Sequence, residues 1–213
     1  MIIGVVGFIG SGKGTVADIL VNKKDFTKIS FADSVKDATA AIFGWPRSLL
    51  EGDTDESREF RETKDEWWSE KTGKYITPRN MFQLIGTEAG RDVIHPDVWV
   101  LSVERKIGMY KNVVIPDVRF PNEMNFIQKM GGFVVRVRRG DDPEWYETAR
   151  RANLESNTDL MCDYPVHYSE WAWIGHGTDY QLDNVGAISM LESDIEHMIR
   201  VFTGPKNPAI LAA

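Results

Sequence analysis

A single cysteine, Cys162, stands among 213 residues. One thiol excludes an intrachain disulfide and matches a reducing compartment, and it reads as an inert buried thiol. No apolar run approaches the roughly 18 residues that a bilayer-spanning helix needs, and no charged leader followed by an apolar stretch opens the chain. A cytosolic protein with no membrane partner is therefore expected. Basic residues are outnumbered, 25 Lys and Arg against 32 Asp and Glu, for a net charge of −7. A protein that grips a nucleic-acid polymer normally presents a basic face, so no such partner is expected, although free nucleotides need only a few local cations. Histidine is scarce at four residues. His167 and His176, taken with Cys162 and Asp163, fit no common zinc spacing, and no G-x-S-x-G elbow supports a serine nucleophile. Internal repeats and low-complexity linkers are also missing.

What is present begins at once. An apolar run, Met1 to Val6, leads into Gly7-Phe8-Ile9-Gly10-Ser11-Gly12-Lys13-Gly14-Thr15. A strand followed by closely spaced glycines and a lysine lets backbone N–H groups turn inward around phosphate oxygens, with the positive end of the next helix behind them. Gly10, Ser11, Gly12, Lys13, Gly14 and Thr15 are the expected nucleotide-binding residues, and Lys13 neutralises the β and γ phosphates. Position 14 is glycine where most such loops have Ser or Thr, so the hydroxyl arrives one residue late, on Thr15. Magnesium is then expected to be held through water by a carboxylate elsewhere, with Thr15 as a further candidate. The variant G-x-x-G-x-G-K-G-T resembles adenylate kinase and other nucleoside-monophosphate kinases.

The hydrophobic content of 42% suffices for one well-buried core with insertions. Five short Val, Ile and Phe-rich segments read as strands: Ile2–Val6, Thr27–Phe31, Asn112–Ile115, Phe133–Val137 and Tyr180–Asn184. The runs Val113-Val114-Ile115 and Val134-Val135 are apolar on both faces, as in central parallel strands covered by helices. Helices are expected from Gly14 to Val21, Ser34 to Phe43 and Pro121 to Met130, and in a final stripe of Ile188, Leu191, Ile195, Met198 and Phe202. Residues 44–111 carry no convincing strand signal and read as a helical insertion, with helices over Ser57–Glu70, Pro78–Asp92 and Val98–Tyr110. Eight acidic and three basic side chains crowd Glu51–Glu66, which suggests a solvated helical arm. A second insertion, residues 140–177, is rich in aromatics and turns, and the tail from Gly204 is expected to be loosely ordered.

In an open α/β sheet, ligands bind beside the carboxyl ends of strands, and the third strand runs out into Asp117-Val118-Arg119-Phe120-Pro121-Asn122-Glu123. Asp117 there can orient magnesium waters or substrate hydroxyls, and Arg119 can fork onto a phosphate or a base edge. The competing possibility is an Asp that caps the next helix and pairs locally with Arg119. Arg136, Arg138 and Arg139 leave the fourth strand. Alternation puts the first two on one face, while Arg139 opens the loop and is the first candidate to stabilise charge over a phosphoryl site, ahead of Arg58, Arg61, Arg150 and Arg151. Most of the seven tryptophans read as packing.

Taken together, these residues resemble the deoxynucleoside-monophosphate kinases of bacteriophages, within the nucleoside-monophosphate-kinase P-loop group. The likeness rests on the loop, Lys36-Asp37-Ala38, Arg79-x-x-x-Gln83-x-x-Gly86-Thr87, Trp99, Asp117-x-Arg119 with Glu123, and Gly131-Gly132. The resemblance implies a three-layer α/β P-loop fold with a five-stranded parallel sheet, a helical acceptor-binding insertion and a lid. It also implies transfer of the ATP γ-phosphoryl to a deoxynucleoside monophosphate with Mg2+ as cofactor, a homodimer, and the host cytoplasm as location. Carried over residue by residue, it makes Lys36, Arg79, Gln83, Gly86, Thr87, Trp99, Asp117, Arg119 and Glu123 substrate-binding; the expected catalytic residues are Lys13, Asp117 and Arg119, with Arg139 added from its place in the loop alone. Two other readings stay open on the residues alone: a P-loop kinase of another phosphorylated metabolite, and an ATP-driven switch.

Overall fold

The valine and isoleucine runs form a parallel sheet because both of their faces are buried. In a computed structural model, which describes residues 1–204, the strands are β1 (Ile2–Val6), β2 (Thr27–Lys28), β3 (Val113–Ile115), β4 (Phe133–Arg138) and β5 (Tyr180–Asp183). The spatial order is β2-β3-β1-β4-β5, and every neighbouring pair is parallel, with Gly4 opposite both Ile115 and Val134. The expected five-stranded parallel sheet is thus observed. The helices are α1 (Lys13–Lys24), α2 (Asp33–Phe43), α3 (Asp55–Glu62), α4 (Glu66–Thr72), α5 (Pro78–Gln83), α6 (Val98–Ile107), α7 (Pro121–Lys129), α8 (Tyr146–Leu154) and α9 (Ile188–Thr203), with a π-helical run over Leu84–Ile94. None of the described helices is long and apolar enough to cross a membrane. The tail beyond Gly204, expected to be loosely ordered, lies outside the described residues.

The described residues divide into two compact units, 1–28 with 111–204, and 29–110. In the sheet unit, strand alternation sends Ile3 and Val5 into a core with Val16, Leu20, Ile195 and Met198 of α1 and α9. Gly4 points the other way, where a β-carbon would sit 2.4 Å from Ile127 Cδ1 of α7. The missing side chain is what lets α7 lie close on the central strand. Lys23 and Lys24, in the last turn of α1, favour the negative end of its dipole and reach Glu192 and Glu196 of α9 at 2.7 and 2.8 Å.

β2 is shorter than the expected Thr27–Phe31. Ser30 N–H donates to Asp33 Oδ2 at 3.0 Å and Ala32 N–H to Ser30 Oγ at 3.1 Å, and such side-chain bonds compete with a strand ladder.

The second unit is helical and is built round Trp45, Leu50, Ile76 and Met81. The expected single helix over Ser57–Glu70 is two helices. The chain is extended at Thr63, and Asp65 restarts it as an N-cap, accepting from Trp68 N–H at 2.9 Å and from Trp45 Nε1 at 2.6 Å. One carboxylate therefore caps a helix and satisfies a buried indole. The helix expected over Pro78–Asp92 is α-helical only to Gln83 and continues as the π-helix to Ile94. Trp45 and Trp68 pack in this unit, and Trp171 and Trp173 are buried in the sheet unit, in line with the packing role expected of most tryptophans. Cys162, by contrast, is exposed, at the end of the 3-10 turn Thr158–Met161, so the expected burial of its thiol does not hold.

Candidate active site

The loop after β1 is shaped by three glycines with positive φ: Gly7 at 148°, Gly10 at 80° and Gly12 at 101°. L-residues with side chains rarely adopt this region. At Gly7 space is also decisive, since a β-carbon there would meet Val137 O at 2.4 Å. Gly14 differs. It lies in α1, and a β-carbon on it would meet nothing within 4 Å, so the backbone does not require glycine where most such loops have Ser or Thr. Thr15 is exposed on the first turn of α1. The Ser11 hydroxyl is buried and has no hydrogen-bond partner among the described residues. Lys13 curls back over the loop, and its Nζ donates to Gly7 O at 2.7 Å and Phe8 O at 2.9 Å.

Burial is the largest influence on this ammonium, and nearby Arg119 adds to it. Together they pull its pKa down to about 8 from the ordinary 10.5, against the opposing carboxylates of Glu170 and Asp117. The unfolded chain holds the proton more tightly than the folded one, so this group makes stability rise with pH between about 8 and 10.5. The functional consequence has the opposite sign, because a neutral amine attracts phosphate poorly. For the unliganded enzyme, kcat/KM for ATP is expected to be level from pH 6.5 to 7.5 and to fall about tenfold per unit well above pH 8. A profile level to pH 10 would remove Lys13 from phosphate binding.

Asp117 and Arg119 follow β3, and both act electrostatically on Lys13. The Arg119 guanidinium donates through Nη1 to Glu170 Oε1 and to Ser169 Oγ, the latter at 3.2 Å. Glu123 is an expected substrate-binding residue. It is only 2% exposed, and its Oε2 accepts from Arg119 N–H at 2.7 Å and Phe120 N–H at 3.1 Å. In this structure the carboxylate serves the turn that carries Arg119, and it closes the first turn of α7, where Pro121 pre-sets the backbone.

A cavity of about 420 Å³ opens over the loop, lined by Gly10, Ser11, Arg138, Arg139, Trp145 and Glu170 among others. Its aromatic flank is continuous with the loop, for Phe8 packs on Trp145 and Trp173 with ring centroids 5.4 and 5.3 Å apart. Of the arginines leaving β4, Arg136 is tied to Asp142 and donates to Tyr146 Oη at 3.1 Å, and Arg138 lies 3.8 Å from both Asp141 and Asp142. Arg139 is exposed and makes no ion pair among the described residues. Arg150 pairs with Glu147 on α8 and Arg151 with Glu155 at its C-cap, and both arginines line a separate depression. No cluster of three or more metal-ligating side chains occurs among the described residues, and His167 engages Ser169 at 2.8 Å. Two residues at this site were not singled out in the sequence. Glu170 has no local signature. Asn184 does have one, being polar at the carboxyl end of a parallel strand.

No family model matches the chain. It is 33% identical over 153 residues to a mimivirus protein named as a deoxynucleotide monophosphate kinase, a match covering 65% of this chain and 74% of that protein. The chain belongs to the deoxynucleotide monophosphate kinase family. A second relative, the deoxynucleoside-5'-monophosphate kinase of Escherichia phage T5, is 42% identical over 57 residues, 26% of this chain and 23% of that one. Among solved structures, shikimate kinase from Aquifex aeolicus covers both chains fully at a TM-score of 0.44 and 15% identity. The fold itself stands on the sheet order and the loop described above, and the chain is a P-loop kinase.

The kinase's remaining candidate residues lie in its helical unit, and two of its cations are already paired there. Lys36 Nζ sits 2.7 Å from Glu51, and Arg79 Nε 2.8 Å from Glu62. Gln83 is exposed at the end of α5, while Gly86 and Thr87 are half-buried in the π-helix. Val35, next to Lys36, packs 3.7 Å from where a Gly86 β-carbon would be, so α2 and the π-helix converge. Trp99 lies deeper than an open pocket wall: it is 8% exposed, donates through Nε1 to Gly86 O at 2.8 Å and fills the space beside Gly90. The indole props up the π-helix, and runs of that kind recur at functional sites.

Proposed function

We propose that this kinase transfers the γ-phosphoryl group of ATP to a deoxynucleoside 5'-monophosphate. A phosphate oxygen of the acceptor forms the new P–O bond as the bond from the γ-phosphorus to the β–γ bridging oxygen breaks, giving a deoxynucleoside diphosphate and ADP. Family membership carries the reading, and the loop chemistry supports it.

In this account the loop from Gly10 to Thr15 holds the ATP phosphates, and the Lys13 ammonium balances the β and γ charges. Arg119 and Arg139 neutralise the transferring group. Arg139 is preferred over Arg150 and Arg151 because it lines the loop cavity and they do not. No protein nucleophile is needed, since phosphoryl transfer is accelerated mainly by positioning and charge. On the helical unit, Lys36, Arg79, Gln83 and Thr87 recognise the acceptor, and the π-helix propped by Trp99 sets the shape of its sugar site. Segment 140–177, which supplies the aromatic flank and Glu170, acts as a lid that excludes competing water. Asp117 and Thr15 would hold Mg2+. Their chemistry fits, because this ion keeps several waters and takes only one or two protein oxygens beside phosphate oxygens. When bound, Mg2+ supplies further charge neutralisation on the phosphates.

The test is ADP formation from magnesium-ATP with each deoxynucleoside and ribonucleoside monophosphate in turn, beside a control without acceptor. Turnover dependent on a deoxynucleotide is the expected result. Hydrolysis that ignores every acceptor would point instead to an ATP-driven switch.

Trp99→Phe probes the sugar site. Loss of the indole donor to Gly86 O should cost about 1 kcal/mol of stability. It should also narrow the deoxy-to-ribo ratio of kcat/KM, since apolar contacts reject an added hydroxyl by only about 100-fold. A lowered melting temperature with an unchanged ratio would leave Trp99 as a support of the helix alone.

A further inference from the structure

We infer that Asn184 is a positioning residue for the phosphate loop, locking it to the strand exit that carries Arg139. The inference rests on the kinase reading above and concerns a residue to which that reading gives no role. Asn184 follows β5, and its backbone N–H donates to Arg138 O at 2.7 Å, so its position is set by the end of β4. From there its side-chain amide reaches 173 residues back along the chain and donates to Ser11 O at 2.9 Å. The same nitrogen would lie only 2.2 Å from a β-carbon on Gly12. The amide therefore occupies the space that glycine leaves free.

The consequence follows from peptide geometry. The unit joining Ser11 to Gly12 is planar and trans, so its C=O and N–H point in opposite directions. Holding the Ser11 carbonyl on Asn184 turns the Gly12 N–H to the far side, away from β5. Without that bond the unit would be freer to swing about Ser11 ψ and Gly12 φ, because Gly12, with no β-carbon, is conformationally permissive. An N–H cradle for phosphate is effective only when it is preorganised. Lys13, a member of the loop itself, ties its first residues through Gly7 O and Phe8 O. The Asn184 amide, by contrast, reaches the loop from the end of β5 and fixes it at Ser11. Aspartate is close to isosteric here, yet it would set an acceptor against an acceptor.

The test compares full-length wild type, Asn184→Ala and Asn184→Asp by calorimetric titration with magnesium-ATP, thermal melting, and separate KM values for ATP and acceptor. The Kd for ATP is expected to rise about tenfold in the alanine variant, the scale of one lost hydrogen bond, and further in the aspartate variant. The acceptor KM should stay within about twofold and the melting temperature nearly unchanged. Equal ATP affinity in all three proteins overturns the proposal. So does a loss of ATP affinity matched by equal losses in acceptor affinity and melting temperature, which marks a structural role only. Wild type that binds no ATP overturns the kinase reading itself, and the proposal with it.

Discussion

Lys13→Ala is expected to lower kcat about a thousandfold or more, with the acceptor KM nearly unchanged. Removing one preorganised donor to developing charge typically costs 10² to 10³ in rate, and Lys13 is a full charge in a half-buried setting. Its ammonium is held by Gly7 O and Phe8 O, so it already lies against the loop and needs little rearrangement to face phosphate. Stability should change little, because the lost bonds to two carbonyls are offset by the removal of a partly desolvated cation. Lys13→Arg should fail to rescue, since a planar fork does not replace a point charge in a loop this tight. Steady-state ADP formation with saturating acceptor, together with a melting curve, checks all three expectations. An alanine variant within tenfold of wild type would mean that phosphate charge is balanced elsewhere.

Asp117→Asn should reduce turnover about 100-fold or more while leaving ATP affinity within about threefold. The substitution keeps the shape and one acceptor oxygen, turns the other oxygen into an NH2 donor, and removes the negative charge that acts on Lys13 and that would hold magnesium waters. Loss of that carboxylate should also lower the Lys13 pKa further, so the basic limb of the kcat/KM profile for ATP should move to lower pH. Equilibrium ATP binding and a pH profile measured on the same preparation separate the two effects. A variant that keeps most of its rate would show that Asp117 only supports the turn before α7, the capping alternative open from the sequence.

Arg119 shows how far local pattern carries a site and where it stops. Its place after a strand beside the loop strand marked it as a ligand candidate, and the structure sets it near Lys13. Its partner Glu170 lies 51 residues away, in a segment whose sequence reads only as aromatic turns. Glu123 is the reverse case: the residue was legible, but burial assigns its Oε2 to two backbone N–H groups. Lys36 and Arg79 were legible as cations, but not their pairing with Glu51 and Glu62. The break at Asp65 was missed because periodicity runs through it, whereas the buried indole of Trp45 supplies the reason to stop.

The sequence by itself determined the phosphate loop, the five strands and the alternation that makes the sheet parallel. Those signals are local: glycine spacing sets allowed backbone angles, and apolar runs of strand length demand burial on both faces. Only the tertiary structure decided which carboxylate meets Arg119, how Asn184 meets Ser11, why β2 ends at Lys28, and where α5 gives way to a π-helix under Trp99. The physical reason is that hydrogen bonds and close packing are specific at about 3 to 4 Å, and no periodicity in a chain records which distant side chains will come within that reach.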